Sequence, residues 1–152
     1  MTQFDPQAFL DLPVDTVFEK RPPLPVGDYI ATIKDITPRP WTGKNDPTKS
    51  GMAYDVQLTL EVPAEVQAAI GITLPTLQLK DSIMLDLTVE GAFDGAPGRN
   101  RQLRNYREAL DMNKPGETFR AREMIGKMLL VKVGHETYQG NLMERVNGVA
   151  KV

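Results

Sequence analysis

The sequence contains no cysteine and a single histidine, His135. The lack of cysteine excludes disulfide bonds, a thiolate nucleophile and cysteine ligands for zinc. One histidine leaves no basis for a histidine-rich metal site or a Ser-His-Asp triad, because both require several partners at suitable spacing. The glycines near residue 95 also lack the lysine of a phosphate-binding P-loop. We therefore expect a binding protein without catalytic residues, metal or cofactor, and not an enzyme.

Long apolar runs are missing as well. No stretch approaches the roughly 20 apolar residues of a membrane span, and the first residues lack the basic region of a signal peptide. These absences predict a protein that is soluble, is not exported and has no membrane partner.

Proline and glycine, by contrast, are plentiful, with 12 of each in 152 residues. They interrupt the chain at short intervals, and between them apolar and polar residues alternate with a period of two. The predicted strands span residues 28–36, 52–62, 77–89, 127–135 and 142–152, and Asn100 is the predicted cap of a helix over about 101–112. Three strands, a helix and two strands predict a mainly β fold, a five-stranded OB-type Greek-key barrel with one helix between strands 3 and 4.

Two details of this barrel follow from single segments. Residues 64–70 favour a short helix in the connection between the second and third strands. Asp81 falls on the inward phase of its strand, which indicates either a bulge or the end of the barrel at that point.

The predicted barrel domain covers residues 27–152, and residues 1–26 form a Pro-rich N-terminal arm. Five prolines prevent a continuous helix or a central strand there. Asp5 and Pro6 favour one helical turn over residues 5–10. The arm contains apolar side chains that require burial, either along its own barrel or against a neighbouring subunit of a homo-oligomer. The predicted subunit contacts are Phe4, Phe9, Leu10 and Phe18.

Three stretches of sequence carry a resemblance to a known family. They are Pro-Val-Gly-Asp-Tyr-Ile-Ala at 25–31, Gly-Arg-Asn at 98–100 leading into Leu-Arg-Asn-Tyr-Arg-Glu-Ala-Leu at 103–110, and Met-Ile-Gly-Lys at 124–127 before the closing hairpin. Together they resemble small bacteriophage proteins related to phage single-stranded DNA-binding proteins with an OB fold. The resemblance covers about residues 22–152 and consists of turns, glycines and apolar positions.

This resemblance implies a phage protein that binds single-stranded DNA without sequence preference and acts in DNA replication or recombination in the host cytoplasm. Single-strand binders of phages and bacteria usually end in an acidic tail that recruits replication partners. Residues 142–152 have instead the pattern of a strand, so we do not expect recruitment through such a tail.

Binding of a single strand needs cations along its backbone and flat side chains on which bases stack. In the predicted loop after the first strand, Arg39, Lys44 and Lys49 surround the only tryptophan, Trp41. Trp41 either stacks on bases or closes one end of the barrel. Both alternatives remain open on the sequence.

Further candidates lie near the last hairpin and on the helix. His135 and Tyr138 either stack on bases and donate hydrogen bonds to DNA, or lie on the protein surface without that role. Arg101 and Arg104 present planar guanidinium groups that suit phosphate oxygens, although a charged helix face is often only solvated. These four residues complete the predicted nucleic-acid-binding set.

A second function fits the same sequence. The formal net charge is −2, and a negative net charge argues against a polyanion such as DNA as the partner. The apolar arm suits contact with another protein chain. A stiff Pro-rich arm loses little entropy when it docks. The alternative is therefore a virion structural protein, a capsid-decorating or cement subunit that binds phage capsid protein and clamps its neighbours with the arm.

Overall fold

The computed structural model describes residues 4–152, so residues 1–3 of the predicted arm lie outside the described part. Its strands are β1 (Gly27–Thr42), β2 (Ser50–Glu61), β3 (Thr76–Met84), β4 (Met128–Tyr138) and β5 (Asn141–Ala150). Its helices are α1 (Ala64–Ile70) and α2 (Arg101–Ala109), and two short 3-10 turns cover Pro6–Leu10 and Ala121–Met124. The mainly β prediction is confirmed, and α2 is the helix predicted between strands 3 and 4. The short helix predicted between the second and third strands is α1.

All five strands belong to one antiparallel sheet in the order β3-β2-β1-β4-β5. The two outer strands, β3 and β5, lie against each other. Over residues 4–152 they form no ladder with each other, so the sheet curls but is not closed. No helix within this range is long and apolar enough to cross a membrane.

Strand β1 is longer than the sequence indicates, because it continues through Pro38 and Pro40 to Thr42. A bulge between Ile33 and Asp35 shifts its register against β2. Beyond Thr32 the strand no longer pairs with β4. In an antiparallel strand, residues two apart have their N–H groups on the same side. The ring nitrogens of Pro38 and Pro40, which carry no hydrogen, therefore face the edge of β1 that has no partner strand, and the ladder with β2 loses no hydrogen bond. The prediction that a long loop begins at Pro38 is therefore wrong.

The core lies between the inner face of the sheet, α2 and the last residues of the arm. Alternation in β2 buries Val56, Leu58 and Leu60 completely, as the period of two predicts. Helix α2 contributes Leu103, Tyr106 and Ala109, which share one face of the helix. The sequence pattern thus identified both faces that meet in the interior.

Asp81 also faces the interior, but its strand has no bulge. The ladder between β2 and β3 is regular from Ala53–Met84 to Glu61–Thr76, and Asp81 lies opposite Val56. The Tyr106 hydroxyl donates a hydrogen bond of 2.6 Å to Asp81 Oδ2. A partner on α2 therefore explains the inward carboxylate.

The ends of α2 differ from the prediction. The helix begins at Arg101 but ends at Ala109, before the predicted Met112. Asn100 has a left-handed backbone (φ 52°) and its side chain does not cap the helix. Instead, Asn100 Oδ1 accepts a hydrogen bond of 2.8 Å from the Asp86 N–H, and Nδ2 donates to the carbonyls of Asp86 and Asp94. Asn100 thus fixes the turn that precedes the helix.

Candidate functional site

Trp41 lies at the far end of the β1–β2 hairpin, opposite Gly51. Its indole covers the glycine so closely that a Cβ atom at Gly51 would lie 2.8 Å from Trp41 Cζ2. The side chain is half-buried, and its indole Nε1 is buried without a hydrogen-bond partner among the described residues. The sequence fits this geometry because only a residue without a side chain leaves room for the ring on the neighbouring strand. The site therefore presents a flat aromatic group at the outer face of the sheet.

Arg39 lies two residues before Trp41 on the same face of β1. It is a strand residue, paired with Ala53, and not part of a loop. Its Nε donates a hydrogen bond of 2.9 Å to Asp55 Oδ2, and Lys80 Nζ lies 3.4 Å from the same oxygen. Asp55 thus joins cations from both neighbouring strands.

The Asp55 carboxylate is held in its charged form by these partners. Its other oxygen, Oδ1, accepts a hydrogen bond of 2.9 Å from Ser82 Oγ. The hydrogen bond from Arg39 is the main reason that the pKa of Asp55 lies below its ordinary value of 3.8. Asp55, Lys80 and Lys34 line a shallow cleft of about 490 Å³ on the outer face. This face can bind an anion where a cation is released from Asp55.

Lys44 and Lys49 lie on the short turn between β1 and β2, covering residues 43–49, and both are exposed. Hydrogen bonds from Gly43 N to Lys49 O (2.8 Å) and from Lys49 N to Asp46 O (3.1 Å) hold the turn. Arg39 and Trp41 thus lie on the end of β1 and not in the predicted loop, and Lys44 and Lys49 lie on the turn beside them, so all four residues are at one end of the hairpin.

The other predicted stacking residues lie elsewhere. The β4–β5 hairpin turns at Gln139 and Gly140, whose positive φ values of 50° and 79° are those of a two-residue type I′ turn. Tyr138 next to this turn is 63% exposed. Because β4 pairs with β1 only between Gly27 and Thr32, Tyr138 and Trp41 lie beyond opposite ends of that ladder. They do not form one continuous stacking surface.

His135 has a structural partner. Its Nε2 lies 2.6 Å from the carbonyl oxygen of Leu24, and the ring is half-buried. Leu24 itself is fully buried, and the Tyr29 hydroxyl donates a hydrogen bond of 2.7 Å to the Pro25 carbonyl. His135 therefore anchors the end of the arm to the domain.

Arg101 and Arg104 are exposed on α2, which packs against β3 and β5. Arg104 Nε lies 3.8 Å from Glu108 Oε1, a loose contact one helical turn away. Gln102, on the same helix, bonds to the backbone of β3 at Ser82 and Met84. The two arginines thus lie on a helix beside the third strand, and not on the turn that carries Lys44 and Lys49.

Within residues 4–26, the contacts that tie the arm to the domain lie at its end. Arg21 forms an ion pair with Glu144 on β5, and Leu24 is buried. The predicted turn with Asp5 as cap is confirmed, since Asp5 accepts a hydrogen bond from Gln7 N. Residues 4–21 are exposed throughout. The predicted subunit-contact side chains are 70%, 53%, 80% and 83% exposed at Phe4, Phe9, Leu10 and Phe18 respectively.

Sequence reasoning missed Asp55 and Lys80. Both lie on the polar phase of an alternating strand, so the pattern alone could have assigned them to the outer face. Their contact with each other and with Arg39 depends on the register of three strands, which alternation does not give.

No model of a known protein family matches this sequence, and the comparison with curated proteins finds no match either.

Proposed function

We propose that this chain is a bacteriophage protein that binds single-stranded DNA without sequence preference, in phage DNA replication or recombination in the host cytoplasm. The observation that carries the proposal is Trp41, a half-buried indole at the same hairpin end as Arg39, Lys44 and Lys49. Every base has a flat face, so an aromatic ring beside cations binds single strands of any sequence.

The proposed fold is the OB-type Greek-key barrel. The strand order, the position of α2 between β3 and β4, and the contact between β3 and β5 support this proposal. In such barrels the strand faces and the loops after the first and fourth strands border the nucleic-acid groove. Trp41 and the turn after β1 correspond to one border of such a groove, and the hairpin with Tyr138 corresponds to the other, beyond the opposite end of the β1–β4 ladder. The resemblance to phage single-strand binders agrees with this arrangement.

The unpaired indole N–H gives a further reason for Trp41 to engage a ligand. A buried donor without an acceptor costs about 1–3 kcal/mol. A strand of DNA that draws the ring away from Gly51 supplies phosphate and base acceptors for this group. Binding therefore recovers free energy that the unbound protein lacks.

A fluorescence titration with oligo-dT at low salt tests the proposal directly, because Trp41 is the only tryptophan. We expect its emission to be quenched. Added salt should weaken binding, with the logarithm of the association constant falling by about 0.7 per phosphate contact for each unit of log salt. The salt dependence identifies the phosphate contribution.

Two matched variants separate stacking from general disruption. Trp41→Ala should lose the roughly 1–3 kcal/mol of one stacked base, which is about 5- to 150-fold in affinity, whereas Trp41→Phe should retain most of it. Anisotropy of a labelled oligonucleotide measures both variants. The proposal is wrong if the parent chain shows neither quenching nor an anisotropy change at low salt.

One observation favours the second function, that of a virion structural protein that decorates or cements the capsid. Residues 4–18 expose apolar side chains that their own domain does not cover. Large exposed apolar surfaces usually mark a protein contact. Mass spectrometry of purified particles of the parent phage should then find this chain in stoichiometric amounts relative to capsid protein. A trace amount would contradict this function.

A further inference from the structure

We infer that the arm of one copy of this chain docks into a basic, aromatic pocket beside α2 of a second copy. This inference goes beyond the proposed function and does not depend on DNA binding. It names the surface that receives the exposed arm in a homo-oligomer. The arm segment concerned comprises residues 4–19.

The arm segment combines aromatic side chains with negative charge. It contains Phe4, Phe9 and Phe18, and all three rings are more than half exposed. It also contains four carboxylates and no lysine or arginine. The four carboxylates are Asp5, Asp11, Asp15 and Glu19. A surface that receives this segment must therefore offer both apolar contact and cations.

The pocket beside α2 offers both. It has a volume of about 520 Å³, within the range of ordinary binding pockets, and lies between the turn before α2, the helix itself and the segment that follows it. Phe93 and Phe119 line it, together with three arginines, Arg99, Arg104 and Arg107, against two carboxylates, Asp94 and Glu117. Phe93 is 52% exposed, so an apolar surface is open to solvent at the pocket.

The pocket is held in shape before any partner binds. The Arg107 guanidinium lies 4.4 Å from the centre of the Phe119 ring, and its Nε donates a hydrogen bond of 3.2 Å to the Met112 carbonyl. Arg99 Nε donates to Asp94 Oδ2 at 3.2 Å. A preformed pocket lowers the entropic cost of docking.

Arg104 is the cation most free to engage a partner. It is half-exposed, and its contact with Glu108 on the same helix is only a loose one at 3.8 Å. Arginine and aromatic residues are the types that dominate interface energies, and Arg104 lines the same pocket as Phe93. A carboxylate of the arm at Arg104, with a phenylalanine against Phe93, satisfies both groups at once.

The occupant is a second copy because the arm of the same chain does not cover the pocket. The arm joins its own domain at the start of β5, where Arg21 contacts Glu144. The last residue of α2, Ala109, borders a cleft with Val149 near the other end of that strand, and no residue from 4 to 26 lines the pocket. The exposed arm and the exposed pocket of one chain are thus separate surfaces, and contact between copies covers both.

A complementation experiment without DNA tests this inference. One variant, Phe9→Ser with Phe18→Ser, keeps the pocket and disables the arm. A second, Arg104→Glu, keeps the arm and reverses the charge of the pocket. Sedimentation equilibrium should show the parent chain as an oligomer and each variant with a dissociation constant raised about tenfold or more. An equimolar mixture of the two variants should form a mixed complex, since it retains one intact arm and one intact pocket.

Arg122→Glu is the matched control, because Arg122 is an exposed arginine outside the pocket. It should assemble as the parent does. Circular dichroism checks that each variant is folded. The inference is overturned if the parent chain is monomeric at all concentrations, if Arg104→Glu assembles as well as Arg122→Glu, or if the two variants do not combine. It is also overturned if Leu142→Glu, on the exposed β5 surface, abolishes assembly while Arg104→Glu does not.

Discussion

Asp55 and Asp81 lie one rung apart on neighbouring strands, yet their carboxylates face opposite sides of the sheet. Asp55 pairs with Ser82 on the outer face, and Asp81 pairs with Val56 on the inner face. The pKa of Asp55 is lowered, chiefly by the hydrogen bond from Arg39. The pKa of Asp81 is raised, chiefly because burial disfavours its charge, although the Tyr106 hydroxyl partly offsets this effect.

The opposite pKa shifts of Asp55 and Asp81 show that the two faces of the sheet place carboxylates in different environments. On the inner face Asp81 is partly shielded from water, and its hydrogen bonds from the Tyr106 hydroxyl and the Ser82 N–H do not replace full hydration of the carboxylate. On the outer face Asp55 gains two cations and the Ser82 hydroxyl as partners. We therefore expect changes on the inner face to alter stability and changes on the outer face to alter binding.

The largest expected effect is on the inner face. Ile33→Ala removes a fully buried side chain and should lower the free energy of unfolding by about 2–5 kcal/mol. Thr59→Ala, on the outer face of β2, should lower it by about 0.5 kcal/mol or less. Urea denaturation of both variants measures the difference. Equal losses would remove the distinction between the faces.

Asp81→Asn should change how stability depends on pH. The folded chain holds the Asp81 proton more tightly than the unfolded chain does, so the parent gains stability as the pH falls through the raised pKa towards 3.8. Asparagine cannot titrate. At neutral pH the free energy of unfolding of the variant should therefore be at least as large as that of the parent. As the pH falls through the raised pKa, the free energy of unfolding of the parent should rise relative to that of the variant. Unfolding curves at several pH values test this, and a difference independent of pH would refute it.

Asp55→Asn should change the pH dependence of stability in the opposite direction, and it should also change the affinity for DNA. The parent has the stabilisation from its ionised carboxylate above pH 3.8 and loses it as the pH falls through the lowered pKa. Because both cationic partners of Asp55 are exposed to solvent, this stabilisation is about 1 kcal/mol or less. The variant also releases Arg39 and Lys80, so its affinity for oligo-dT at low salt should rise about two- to fivefold. Asp28→Asn is the control, since Asp28 is exposed and lies outside the cleft that Asp55 lines.

The smallest change in stability is expected for Gly51→Ala. The added Cβ lies too close to the indole, and the half-exposed ring must shift away. Unfolding free energy should change by about 0.5 kcal/mol or less, while the emission maximum of Trp41 moves. An unchanged spectrum would mean that Trp41 does not rest on Gly51 in solution.

The sequence predicted the strands well where alternation is regular. Residues 52–62 alternate without interruption, and β2 spans Ser50–Glu61. Prolines misled the prediction in β1, because Pro38 and Pro40 break a central strand but not one with an unpaired edge. Whether an edge is free depends on where β4 stops, and no local pattern contains that information.

For the candidate site, the sequence identified which residues are involved better than it identified their contacts in space. The only tryptophan and its neighbouring cations were identifiable from composition and spacing. The partners of those cations were not, since the contact of Arg39 with Asp55 arises from strand register. The role of His135 was equally hidden, because its partner Leu24 is distant in sequence and offers a backbone carbonyl.

The pairing of β1 with β4 has a consequence for how the chain acquires its structure. One edge of β1 pairs with β2, the next strand in the chain. The other edge pairs with β4, which follows α2 in the sequence and is synthesised later. Until then the edge of β1 from Gly27 to Thr32 has no partner, and closing so long a loop is entropically slow. On a ribosome, the first three strands therefore emerge before the strand that completes their core. We expect chains truncated before Met128 to aggregate rather than fold.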